Sequence, residues 1–456
     1  MVAVLCFGAP ALSLTAVTSP PPAPPQTRNT SPTESSEQKN RIIDRDAPPQ
    51  TEVQLRPLLK FGGRAEFSYD VRRNFDLKDG VADEDSTIEP FLSLAAAFKP
   101  NEKFKSFLEM RLFREIAVRE KRLPKKRRRN ELEISQAYLL FKDIVKHSSL
   151  KVGRQRLRDE REWYYDKRLD AARIAYKYHE LALDFTFGLE GAIDKDLLNE
   201  ETDRRVDDYL LELKYPVTKK IDVALYNIFR YDHSADARRP YFVGLHSQGE
   251  IIENLKHWLE LAYTLGQETR ISRSRGTERT FWFRGLGFDV GADYQFKLPW
   301  KPGLALGYAF GSGDNEPNDG DHRGFRQTGL QNNSTDLNGL SSVQYYGELF
   351  DPELSNLMVF TAGSGIKPFQ KASVEVLYHS YLQHRPANTI KESNLLTDPS
   401  GRSRRLGNEI DFVIALEDIK KFDVQTIFGL FLPGQAFPQE SDNPAFFSEL
   451  KLRYNF

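Results

Sequence analysis

The residues of this chain best suited to chemistry are cations spaced at every second position among apolar neighbours. Side chains of an extended strand alternate between two faces, so the apolar set fixes which polar residues share the other face. In 104–116 the apolar set Phe104, Leu108, Met110, Leu112 and Ile116 leaves Lys105, Phe107, Glu109, Arg111 and Phe113 opposite. By the same rule Arg64 and Glu66 oppose Phe61, Ala65 and Phe67, and Arg173 and Lys177 oppose Ile174, Tyr176 and Tyr178. In the closing segment Lys451 and Arg453 oppose Leu450, Leu452, Tyr454 and Phe456. Strict alternation puts Arg154 with Val152, so it joins the cationic face only if the strand bulges at Gly153. A guanidinium is planar, permanently charged and able to meet a carboxylate at two points. The chemistry on offer is recognition of anionic groups. Each cation also has a plainer role open to it, as ion-pair partner of Glu66, Glu109, Asp170 or Asp411.

The elements that must position these cations are strands. Period-two alternation recurs in 61–71, 104–116, 181–189, 221–229, 290–298, 304–310, 410–416 and 422–432, and no segment of comparable length shows a helical period. The last twelve residues, AFFSELKLRYNF, alternate cleanly and finish on an aromatic residue. One apolar and one polar face per strand, closed by such a tail, is the requirement of a strand between lipid and a lumen. Beyond the amino terminus no apolar run reaches the ~18–20 residues of a membrane helix. Connections alternate too. Short joints at 99–102, 179–180, 216–220, 297–303, 368–371 and 418–421 separate longer polar loops at 72–86, 119–130, 193–205, 232–240, 268–279, 312–350, 385–406 and 433–445. Short periplasmic turns against long outer loops give an all-β fold, a transmembrane antiparallel β-barrel of about 18 strands over 58–456. A barrel of that size is expected to enclose an aqueous lumen rather than a packed core.

Ahead of the barrel, 1–18 reads as a signal peptide lacking the usual leading cation, so the start is expected to be truncated or misplaced. Residues 19–57, beginning SPPPAPP, read as a disordered leader. The 456 residues carry 64 Lys+Arg against 65 Asp+Glu, so no global field points to nucleic acid, and any electrostatic function must come from local segregation. The single cysteine, Cys6, falls in the leading segment, which removes disulfide and thiolate chemistry from the barrel.

Three other constellations offer chemistry of a different kind. The run REKRLPKKRRR (119–129) resembles a nucleic-acid tract as a string, but between strands it reads as an outer loop, solvated or drawing polyanion and lipopolysaccharide phosphates. GSGDNEPNDGDHRG (311–324) collects Asp314, Asp319 and Asp321, oxygen donors of the kind calcium takes, without the spacing of a helix-loop-helix calcium site. The same long loop carries Arg323 and Arg326, placed to guard a mouth. His379-Ser380 invites comparison with nucleophilic catalysis, yet no orienting carboxylate can be argued from spacing.

Three strings go beyond architecture: LKVGRQRL with EWYYDKRLDAARIAY (150–157, 162–176), FRQTGLQNN with YYGELFDPELSNL (325–333, 345–357), and LGNEIDFVIAL with FGLFLPGQAF (406–416, 428–437). In order and strand context they resemble the alginate-export family of outer-membrane porins, from about residue 60 to the end. The resemblance implies an 18-stranded barrel through which a polyanionic polysaccharide diffuses outward past a constricted, electropositive lumen. It makes Arg64, Lys105, Arg111, Arg154, Arg173, Arg323, Arg326, Lys451 and Arg453 candidate substrate-binding residues, with no catalytic residue and no cofactor. The partners implied are an acidic polysaccharide, outer-membrane lipid and lipopolysaccharide, the barrel-assembly machinery and periplasmic secretion components, and no nucleic acid. Ser341-Ser342-Val343-Gln344 stands where the family pattern has further arginines, so a weaker or different anion preference is expected. The alternatives are an uptake porin for small carboxylates and a barrel enzyme acting on lipid or peptide.

Overall fold

A computed structural model describes residues 48–456 except 79–83, 120–129, 193–195, 200–204, 235–236, 273–276, 316–320, 338 and 340–341. The signal peptide, Cys6, most of the leader and all of the basic run but Arg119 lie outside the described residues. The strands are β1 (Leu59–Arg73), β2 (Asp85–Asn101), β3 (Phe104–Arg114, resumed at Ile116–Arg119), β4 (Asn130–Lys142), β5 (Ser148–Arg158), β6 (Asp166–Tyr178), β7 (Leu181–Glu190), β8 (Val206–Pro216) and β9 (Ile221–Asp232). They continue with β10 (Arg238–Ile252), β11 (Leu255–Ser272), β12 (Thr277–Gln295), β13 (Gly303–Gly311), β14 (Leu357–Phe369), β15 (Ala372–Gln383), β16 (Arg405–Ile419), β17 (Phe422–Pro433) and β18 (Ala445–Asn455). Each pairs antiparallel with the next, and β18 closes on β1 from Arg64↔Asn455 to Arg73↔Phe446. Gly63 and Phe456 exchange backbone N–H···O bonds of 2.8 and 2.9 Å at the seam. The result is a closed barrel of 18 strands.

The outer face is the apolar face that alternation assigned. Phe61, Phe67, Leu108, Leu112, Ile174, Phe185, Leu225 and Leu452 are all exposed there. The joints at the end where β1 begins and β18 finishes are short, such as 102–103, 179–180 and 420–421. A four-residue strand, Val53–Arg56, pairs back on β1 just before the barrel begins.

The interior departs from the expected aqueous lumen. A buried apolar cluster fills part of it, built from Trp163, Tyr164, Tyr226, Phe242, Trp258, Phe325, Tyr346, Phe350, Tyr381 and Phe431 among others. Its residues come from the inner faces of β8 to β17 and from connections folded into the barrel, chiefly 159–165 and 325–356. These connections bury large aromatic side chains that could not face water without cost, roughly 1.5–3 kcal/mol per fully buried large side chain. The wall from β18 through β1 to β6 carries the polar inner face.

Candidate functional site: the narrowed lumen

One hairpin forms part of the narrowing, together with the 325–356 connection. β5 is paired with β4 only as far as Arg154↔Ala137, and β6 with β7 only as far as Asp170↔Leu189. Beyond those points β5 and β6 pair only with each other, from Arg154↔Asp170 to Arg158↔Asp166. The freed edge of β4 is taken by the 196–199 segment, through the Glu133↔Asp196 bridge and the Leu197 N–H to Leu132 carbonyl bond of 2.8 Å. The departure starts at Gly153. Its φ is +117°, and a β-carbon there would lie 2.2 Å from the Ala137 carbonyl oxygen, so a residue with a side chain is excluded.

The hairpin tip lies inside the barrel. Tyr164 stacks on Tyr226 of β9 at 4.1 Å between centroids and donates to Glu212 of β8 at 2.7 Å. Arg161 pairs with Asp289 of β12 at 3.4 Å and sits 4.4 Å from the rings of both Trp258 and Tyr345. The tip is held in shape by Asp159, whose carboxylate accepts backbone N–H bonds from Arg161, Trp163, Tyr164 and Tyr165 at 2.9–3.2 Å. Burial pushes this carboxyl upward in pKa, against the stabilising pull of those N–H groups.

The three family-like strings meet here. The Trp163 indole N–H donates to the Tyr346 hydroxyl at 2.9 Å, and Tyr346 donates to Asp289 at 3.0 Å. Gln327 donates to the Trp163 carbonyl at 3.1 Å, and Asn332 to Glu162 at 2.9 Å. Glu409 of β16 accepts the N–H groups of Leu349 and Phe350 at 2.7 and 3.0 Å. It fixes the turn at Gly347, whose φ is +104°. These strings therefore build the internal packing, a role that no pairwise spacing in the sequence could assign.

The inward lean turns the hairpin's outer-parity face toward the opposite inner wall. Arg154 keeps the parity of Val152, because the β5–β6 register runs through Gly153 without a shift, so the bulge expected there is not what moves it. The lean does so instead. Arg154 donates to Asp170 at 2.9 and 2.8 Å and reaches the Ile134 carbonyl at 3.4 Å. Arg156 meets Asp166 at 2.5 Å and Glu162 at 3.3 Å, and Arg158 meets Glu162 at 2.9 Å.

On the barrel wall, Arg64, Arg111, Arg173 and Arg453 lie on the inner face, all nearly enclosed. Arg453 pairs with Glu66 at 2.9 Å, Arg111 with Glu109 at 2.8 Å and Arg173 with Asp184 at 2.8 Å. Lys451 pairs with Glu449 at 2.8 Å. Lys105 stands in a row of directly paired inner-face positions, Lys105↔Leu140↔Lys151↔Arg173. The sequence reading overlooked Lys151, although alternation from Val152 would have found it. It also overlooked Arg156, Arg158 and Arg161, because nothing in the sequence announces that a hairpin leaves the wall. Arg323 lies apart, beside Asp314 at 3.7 Å and Asp321 at 3.9 Å, and Arg326 follows the enclosed Phe325. Of the acids considered for calcium, Asp319 lies outside the described residues, and among the described residues no cluster of three or more metal-ligating side chains occurs. His379 and Ser380 fall on opposite faces of β15. His379 is enclosed between Thr361 at 2.9 Å and Asp411 at 3.4 Å.

The sequence pattern of the alginate export family matches residues 58–447. The chain belongs to the alginate export family. It is 23% identical over 342 residues to the alginate production protein AlgE of Pseudomonas aeruginosa, covering 64% of this chain and 68% of that protein. Among solved structures, Pseudomonas aeruginosa OccK11 (OpdR) matches with a TM-score of 0.54 at 15% identity, over 87% of this chain and 96% of that one. OpdQ of the same organism matches with a TM-score of 0.53 at 12% identity, over 87% and 98%. At such identities the likeness is one of barrel fold. As a member of the alginate export family, this barrel is an outer-membrane protein, and family and fold point to transport rather than catalysis.

Proposed function

We propose that this barrel gives passive, anion-selective passage to an acidic polysaccharide such as alginate, outward across the outer membrane. The observation that carries the reading is a pair of arginine-bearing, ion-paired surfaces on the inturned hairpin and on the barrel wall. One is the inturned hairpin with Arg154, Arg156 and Arg158. The other is the wall with Arg64, Arg111 and Arg453. A polyuronate shedding its hydration there would find guanidinium groups that can exchange an internal carboxylate partner for one of its own. Binding shared among several such sites stays weak enough to release. Ion pairs already made inside the lumen hold the cations in place while the lumen is empty, and the internal carboxylate that a polyuronate displaces must find water or another partner, because a buried charge left unpaired costs about 3–5 kcal/mol.

The test is reversal potential in a salt gradient across planar bilayers, followed by addition of polyuronate. Anion preference with block by polyuronate is the expected result, and Arg111→Glu is expected to reduce that preference by setting a second carboxylate beside Glu109. Indifference to polyuronate with block by a small carboxylate would move the reading to an uptake porin. No open channel at all would refute both.

A further inference from the structure

Outside the wall, at the end opposite the short joints, stand arginines that no carboxylate answers. One row of directly paired outward positions crosses four strands there, Phe310↔Met358↔Leu382↔Arg405 on β13 to β16. Below the row Leu306, Phe360 and Val376 are exposed, an apolar surface of the kind that meets lipid. At the row itself Arg404 donates through Nε to the Gln383 carbonyl at 2.7 Å and through Nη2 to the Met358 sulfur at 3.1 Å. Just above, the His384 ring meets Phe310 edge-on at 5.0 Å. Arg385 is anchored there by its backbone, its N–H donating to the Asn356 side-chain oxygen at 2.8 Å. Arg385, Arg404 and Arg405 are all exposed. Among the described residues no carboxylate pairs with any of the three. Inside the barrel pairing is the rule, as at Arg154–Asp170 and Arg453–Glu66.

A thioether is a weak acceptor. A guanidinium that gives an N–H group to one lacks the anion its planar fork is shaped for. Burial, and then the charges of Arg385 and Arg404, hold the His384 imidazole below its ordinary pKa, as expected where basic groups gather without acids between them. Position narrows what the missing anion is. These side chains stand on the lipid side of the wall, at the height where the apolar surface ends, so the anion they meet belongs to a headgroup rather than to the contents of the lumen. Phosphate is the headgroup anion that an arginine fork fits. The basic run 119–129 offers a rival in sequence, but its one described residue, Arg119, is already paired with Glu84 at 3.0 Å.

We propose that the rim over β13 to β16 binds the phosphate groups of outer-leaflet lipopolysaccharide, with Arg404 and Arg405 at the centre of the site and Arg385 at its edge. The acyl chains lie on the apolar face of β13 to β15 below. The site is outside the wall and does not depend on what the lumen conducts.

The experiment is titration of the full-length protein in detergent micelles with labelled lipopolysaccharide and with the same material stripped of its lipid phosphates. The wild type binds the phosphorylated form about tenfold more tightly or better, and the difference shrinks as salt rises. Arg404→Gln and Arg405→Gln each weaken binding about tenfold, the order of one lost charge-assisted bond. Lys297→Gln, at the short-jointed end, leaves binding unchanged. Heat-modified mobility checks that each barrel has formed. Should a variant fail to form one, Arg385→Gln carries the same expectation of loss, because its anchor is the backbone. Equal binding of the two lipopolysaccharides, or wild-type binding in the arginine variants, overturns the proposal. Displacement of the lipid by inorganic phosphate or by an oligouronate overturns it too, the first leaving a bare anion site and the second a site for the polysaccharide itself.

Discussion

Replacing Asp159 by alanine should release the hairpin tip from the lumen. Its carboxylate takes four backbone N–H bonds, from Arg161, Trp163, Tyr164 and Tyr165. Bonds to a charged acceptor contribute about 1.5–3 kcal/mol each, and a buried donor left without an acceptor costs about 1–3 kcal/mol. Against this stands the cost of burying the carboxylate, several kcal/mol, which alanine removes. The balance for Asp159→Ala is a loss of about 3 kcal/mol, roughly two decades in the equilibrium between the tip packed inside and the tip released. Asp159→Asn keeps one acceptor oxygen and should fall between the two. The assay is single-channel recording, in which release appears as a second, larger conductance level or as faster current noise. Heat-modified mobility on gels checks that the barrel itself has formed. A folded Asp159→Ala channel with wild-type conductance and wild-type noise would refute the argument that this carboxylate holds the constriction in place.

Two further perturbations test the same geometry. Gly153→Val sets a β-carbon against the Ala137 carbonyl oxygen at a positive φ, a strain on the order of 1–3 kcal/mol before any clash is counted. The expected result is a lower yield of folded barrel, measured by heat-modified mobility. Burial pushes the Asp351 carboxyl up to about 7, so the packed loop holds a proton that the released loop would give up. This stabilises the packed form at low pH, fades as pH rises from about 4 toward 7, and is lost above that. Opening events should become more frequent between about pH 6 and pH 8, and Asp351→Asn should abolish that dependence; an unaltered pH profile in the variant would assign the effect elsewhere.

Much of the barrel was legible because a strand between lipid and lumen writes its environment into every second residue. Leu108 and Leu112 against Glu109 and Arg111 give both the strand and its register, and the closing strand follows from Leu450, Leu452 and Tyr454 in the same way. Lys151 was recoverable by that rule and was overlooked. The interior was not recoverable. Trp163, Tyr346 and Glu409 belong to strings separated by tens to hundreds of residues, and nothing periodic links them. Asp159 shows the same limit from the other side. In sequence it is one more acid beside a run of arginines, and its role exists only once four N–H groups turn toward it.

Alternation thus determined the fold class, the strand number, the direction each barrel-wall side chain faces and the outer-membrane setting, since these follow from local contact with lipid or water at each position. The tertiary structure alone decided where the lumen narrows. That depends on Gly153 letting one hairpin leave the wall, on the 196–199 segment taking its place beside β4, and on aromatic residues from distant loops giving the hairpin something to pack against. Arg154 shows the difference most plainly: its parity is written in the sequence, but the surface it faces is set by where the whole hairpin goes.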